Sequence, residues 1–131
     1  MLEIVVVSPA RPIYQGEADS IIVESVEGSM GIKPRHADIV AALGAGPLIL
    51  ESKNDSARFA VCGGFLKVGK EKVTILVDQA VRADEIDAAA VRKELDEVIA
   101  DLAHPKSDEE FEALLLKRRW CQARLRLSAT T

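Results

Sequence analysis

Residues 73–102 read "VTILVDQAVRADEIDAAAVRKELDEVIADL", and their texture changes halfway. As far as Val81 the run is β-branched and apolar, which suits a pleated, half-buried strand. From Asp84 onward glycine disappears from the chain, and alanine, leucine, glutamate and arginine dominate, a helical composition. Asp87 is placed to cap a helix running to about Leu102, with Ala88, Val91, Leu95, Val98, Ile99 and Leu102 along one stripe. "AHPKS" then breaks that helix at Pro105. Ser107 with Glu110 forms a capping box for a second helix over roughly 108–127. Two helices joined by so short a link make an antiparallel hairpin.

Working back from residue 84, short apolar runs alternate with turn residues: "LEIVVV", "DSIIVESV", "GPLILES", "RFAVCGG", "FLKVGKEK" and "VTILVDQAV". Runs of this length and spacing predict an all-β sandwich or barrel, with "KNDS" and "GKEK" as hairpin turns. The fold class expected is therefore α+β, mainly β: a sandwich over 1–84 followed by a helical hairpin over 85–131.

Composition bounds what such a chain can do. Its 131 residues are 48% apolar and 29% charged with a formal net charge of −4, which disfavours nucleic acid and anionic membrane as partners. The start "MLEIVVVSPARP" lacks the basic lead of a signal peptide, and no window reaches the roughly 18 apolar residues of a membrane span. A soluble, intracellular chain without membrane insertion is expected. Cys62 and Cys121 belong to no CxxC pair, so zinc and thioredoxin signatures are missing, and "RFAVCGG" places Cys62 where a small buried residue fits.

The second helix has two apolar faces. Ala113, Leu116, Trp120, Ala123 and Leu127 share one, and Phe111, Leu114, Leu115, Cys121 and Leu125 share another. One face can pair with the first helix; the other needs the β domain, a second chain, or each in turn. Acids cluster at its start, while Lys117, Arg118, Arg119, Arg124 and Arg126 lie near its end. That polarity complements the helix dipole, and equally suits an acidic partner.

The segment "EGSMGIKPRHA" (27–37) reads as a protruding basic loop on a rigid scaffold, a docking element or a solvated turn. His36 and Asp38 could face the same way, but no nucleophile in a recognisable context accompanies them. The glycines match neither a phosphate loop nor a dinucleotide fingerprint, and two distant histidines do not make a metal site. His104 reads as a helix-end residue.

Taken together, "EGSMGIKPRHADIVAALGAGPL", "FAVCGGFLKV" and "VTILVDQAVRADEID" resemble the ε subunits of rotary F-type ATP synthases over nearly the whole chain. The pattern falls on Glu27, Gly28, Gly31, Ile32, Pro34, His36, Ala37, Gly63, Gly64, Ile86 and Asp87. The resemblance implies a non-catalytic rotor subunit without a cofactor, peripheral on the cytoplasmic side of a bacterial inner membrane. It links γ to the c-ring in proton- or sodium-driven synthesis, and its hairpin restrains ATP hydrolysis at the α/β head. It further implies a ring-facing edge at Ser29, Met30, Arg35 and His36. A γ-facing surface follows at Ser8, Val73 and Thr74, and a regulatory helix carrying Trp120, Arg118, Arg119, Arg124 and Arg126.

Three departures from that pattern stand out. Ser29 replaces a common acid and Arg35 a common glycine, which implies a ring loop offering a carboxylate or carbonyls and points to a divergent type such as the sodium-linked branch. The nucleotide motif of some bacterial members, Ile/Leu-Asp-x-x-Arg-Ala, here runs Ile86 to Val91 without its arginine. Arg124 is retained from the further set, and Trp120 replaces another, so no tight ATP site is expected. The alternative is a free-standing β module with a helical tail that binds a ligand or carries a cofactor on Lys53 or Lys70, though neither lysine has the Met-Lys setting of biotin carriers.

Overall fold

A computed structural model describes residues 2–25, 28–32, 38–53 and 55–128. Seven strands precede two helices: β1 (Leu2–Val7), β2 (Pro12–Ala18), β3 (Ser20–Ser25), β4 (Gly28–Ile32), β5 (Ile39–Ser52), β6 (Asp55–Gly69) and β7 (Lys72–Arg82), then α1 (Ala88–Leu102) and α2 (Asp108–Ser128). They form one continuous sheet in the order β2-β1-β7-β6-β5-β3-β4, antiparallel except where β1 lies parallel to β7. The sheet folds over on itself as a sandwich around Leu2, Ile4, Val6, Ile21, Val23, Leu48, Phe59, Leu66, Val73 and Ile75, all almost fully buried.

What folds it is a crease across its three longest strands. Side chains alternate faces along a strand, so core residues should be an even number apart. On β6 the core positions are Phe59 and Val61, then Leu66 and Val68; on β5 they are Leu43, then Leu48 and Leu50; on β7, Val77, then Ala80. Each sequence contains one odd step, and the steps lie side by side, since Gly46 pairs with Val61 and Gly64 with Val77. Gly63 and Gly64 supply the turn with φ of +72° and +108°, a region open to glycine and closed to most side chains. The separate runs "RFAVCGG" and "FLKVG" are thus one strand bent at its glycines, as are the two parts of β5.

The hairpin forms as its capping residues predict. Asp87 accepts a hydrogen bond from the Ala90 amide at 3.2 Å, and Ser107 Oγ accepts from the Glu110 amide at 3.0 Å. The Glu110 carboxylate reaches the amide of Lys106 at 3.0 Å instead of that of Ser107, so the box is closed one residue early. A short 3-10 turn, Ala83–Glu85, joins sandwich to hairpin.

Gly64 is the point where the crease is least forgiving: a Cβ there would run into the Leu76 carbonyl, on top of the backbone strain. Gly64→Ala should lower the urea-unfolding free energy by at least about 1–3 kcal/mol, the usual cost of a strained left-handed residue. Gly44→Ala, where a Cβ meets nothing within 4 Å, should change it little.

Candidate functional site

The crease divides the outer face of the sheet into two surfaces. On the β6 side that precedes it, the outward residues are small and buried: Ala60 at 0% exposure and Cys62 at 6%. Ala60 and Ala83 form a seat for α2, against which Leu127 and Trp120 pack together with Val81 and Ile86. Beyond the crease the outward residues are Phe65 and Leu76, directly paired across β6 and β7 and still 58% and 49% exposed. Val7 on β1 extends that row, being paired with Leu76.

Both expected faces of α2 are in use. Leu127 and Trp120 lie toward the sandwich, while Leu114 and Cys121, from the other face, are also buried in the hairpin. Phe111 and Leu116, near the hairpin tip, remain 40% and 50% exposed.

The arginines of α2 are not a free basic cluster. The Arg124 guanidinium stacks over the Trp120 ring at 4.8 Å, pairs with Glu94 of α1 at 3.1 Å, and donates to Cys121 Sγ at 3.4 Å. Arg126 donates to Glu24 of β3 at 3.3 Å. The Glu24 side chain lies across Gly46, where any Cβ would strike it, so that glycine leaves room for an ion pair tying α2 to β3. Arg119 is exposed, and Arg118 is partly buried with its Nε lacking a hydrogen-bond partner among the described residues.

The other sequence-derived positions separate clearly. Thr74 lies on the outer face, half-buried, one step along β7 from Leu76. Val73 does not: it is fully buried in the core, so its side chain is turned away from that surface, as strand alternation requires. Ser8 is half-buried, and its hydroxyl is committed to its own turn, donating to the Arg11 carbonyl at 2.9 Å and accepting from the Arg11 amide at 3.2 Å. Ser29 and Met30 belong to the edge strand β4, while Arg35 and His36 lie outside the described residues. Phe65 and Leu76 escaped the sequence reading. The signal was there in the period of two, which puts Leu76 beside Thr74.

The fold is a two-part α+β scaffold, a creased β-sandwich with a helical hairpin seated on its outer face. Residues 1–83 match the family model of the ATP synthase delta/epsilon chain β-sandwich domain, and the chain belongs to that family. A sodium-ion-specific ATP synthase epsilon chain of Propionigenium modestum is 34% identical over 81% of this chain and 77% of its own. The epsilon chain of Xanthomonas euvesicatoria pv. vesicatoria is 41% identical over 76% and 71%, and that of Xanthomonas oryzae pv. oryzae 36% over 95% and 88%. In fold, the chain matches one from the Euglena gracilis mitochondrial ATP synthase OSCP/F1/c-ring assembly, with a TM-score of 0.85 at 22% identity, over 99% of this chain and 81% of that one. A chain of the Tetrahymena thermophila central stalk and c-ring matches with a TM-score of 0.67 at 18% identity, over 97% and 96%.

Cys62 and Cys121 are both free and buried, one on the sheet and one on α2, and burial pushes both thiols above their ordinary value of 9.0. For Cys62 the Asp78 carboxylate adds to the rise, and for Cys121 that of Glu94; Arg124 opposes both. A pKa raised by folding contributes stability that is whole below the unfolded value and is lost as pH climbs through the raised one. Hairpin packing should therefore hold up to about pH 9.0 and loosen above it, read by Trp120 fluorescence, whereas Cys62→Ala/Cys121→Ala should flatten that alkaline change.

Proposed function

We propose that this chain is a non-catalytic rotor subunit of an F-type ATP synthase, joining the γ subunit to the c-ring. Its sandwich docks, and its hairpin restrains ATP hydrolysis at the α/β head. The observation that carries this reading is the apolar row of Phe65 and Leu76 left open beside Ser8 and Thr74, on a family member whose hairpin is seated elsewhere. Such a row on a rigid sheet suits a protein partner. We assign it to γ, with Leu76 and Phe65 taking the place first given to Val73. The ring contact is assigned to the loop edge with Ser29, Met30, Arg35 and His36. The working place of the subunit is then peripheral, on the cytoplasmic side of a bacterial inner membrane. No helix among the described residues is long and apolar enough to cross one.

The hairpin's seat supports a regulatory role. Burying Leu127 contributes about 1.5–3 kcal/mol, and the half-exposed Arg126–Glu24 pair about 0–1 kcal/mol. A docked state held by a few such contacts can exchange with an extended one when a partner offers comparable surface. Undocking would also release Arg126 from Glu24 for an acidic surface, whereas the contacts of Arg124 lie within the hairpin.

Two experiments test these assignments. ATP hydrolysis by the cognate α/β/γ core, titrated with the full chain and with residues 1–83 alone, should fall only with the full chain, while both bind γ. Equal hydrolysis would remove the regulatory half of the reading, and failure of both to bind would remove the whole. The shorter piece should fold, since the sandwich core contains no hairpin residue. Leu76→Asp should weaken γ binding at least tenfold, or about 1.4 kcal/mol, in a pull-down series. Arg35→Glu should spare γ and weaken capture of isolated c-rings.

A further inference from the structure

A cleft of about 500 Å³ opens where the hairpin meets the sandwich, and its size suits a small-molecule ligand. Its walls come from both parts of the molecule: the β1–β2 turn with Arg11, the start of β2 with Ile13, β7 with Asp78, the Ala83–Glu85 turn with Glu85, Val91 and Glu94 of α1, and Trp120 of α2. The cleft therefore exists as a whole only while the hairpin is seated.

Charge decides what could fill it. Four carboxylates line it, those of Asp78, Glu85, Asp87 and Glu94, against the two guanidiniums of Arg11 and Arg124. Arg124 is already paired with Glu94 and stacked on Trp120. The N-terminus of α1 also points here and would favour an anion, but Asp87 occupies it through the Ala90 amide. Asp78 and Glu85 form no ion pair among the described residues. An anionic ligand, nucleotide included, would meet an excess of negative charge, with Ala90 lining the cleft where a nucleotide-binding relative would have its arginine. Between the charges the floor is apolar, built from Ile13, Ala80, Val91 and Trp120.

We propose that this cleft binds a small organic polycation with an aliphatic body, an oligoamine. Its ammonium groups sit at Asp78 and Glu85 and its methylenes lie along Trp120 and Val91, so that occupancy holds the hairpin down. The stabilisation follows from mass action, because the ligand binds a site that the undocked chain does not possess.

The test uses the full chain and spermidine as probe, at physiological ionic strength, with ATP as the anionic comparison. Calorimetry should show saturable one-site binding of spermidine and none of ATP. In a Cys121→Ala background, spermidine should slow the reaction of Cys62 with a thiol reagent, since that thiol is 6% exposed on the face of β6 whose Ala60 packs against Leu127 of α2, and lies near enough to α2 for Arg124 to act on it. Asp78→Asn/Glu85→Gln changes two exposed side chains without changing their shape, and should weaken binding by about tenfold or more and abolish the slowing by spermidine, each variant being compared with its own rate without spermidine because Asp78 also raises the Cys62 pKa. Equal binding by the double variant would mean diffuse attraction to an acidic protein and would overturn the assignment. So would the absence of heat with spermidine, binding of ATP in its place, or binding that leaves the Cys62 rate untouched.

Discussion

The structure depends on one backbone constraint, the left-handed pair Gly63–Gly64 at the middle of β6. A fifteen-residue strand with regular alternation would present one apolar face from end to end and could pack only as part of a flat layer. Inserting an odd step reverses the faces, and because β5 and β7 take the same step alongside, the sheet folds as a unit. Sandwich closure is thus a matter of three aligned parity changes instead of a break into two sheets. The glycines at the crease also let strands approach closely, as the Leu76 carbonyl does at Gly64.

The same crease allots the outer surface. Before it, β6 turns out Ala60 and Cys62, small enough for a helix to lie close; after it, Phe65, large and left open. Had the alternation continued unbroken, Val61 and Phe59 would share a face with Phe65, and no shallow seat would separate the hairpin from the apolar row. The seat has a further property. Small residues bury little area each, so the grip on α2 comes chiefly from Leu127 and Trp120 on its own side, supplemented by Arg126 on Glu24. A weak seat on a strong sandwich is the distribution of stability expected where one part must move and the other must not.

Much of this was legible in the sequence because it rests on local chemistry. Loss of glycine after residue 84, Asp87, and the Ser107–Glu110 box marked both helices, and the turn residues marked the hairpins. Strand length was not legible: Gly63–Gly64 reads as a stop, since only tertiary pairing with β5 and β7 makes it a bend. Nor was the fate of the arginines. A basic end on a helix looks like a surface for a partner until the fold brings Glu94 and Glu24 to it. Val73 illustrates the limit on transferred positions: a one-residue displacement on a strand exchanges core for surface, so only the parity of the run, with Ile75 and Val77 inward, could have assigned it.

The two outer surfaces also touch. Ser8 and Asp78 line both the groove beside Phe65 and Leu76 and the larger cleft beneath the hairpin, because β1 and β7 run past the crease together. A partner seated on the apolar row therefore stands against the same turn that walls the cleft. The Ser8 hydroxyl closes that turn through both of its bonds to Arg11, so the residue that borders the groove is tied to one that walls the cleft. Occupancy of one surface can in this way bias the state of the other, with the β1–β2 turn as the shared wall. Coupling of this kind needs no long path, only two sites built on opposite sides of one fold in a sheet.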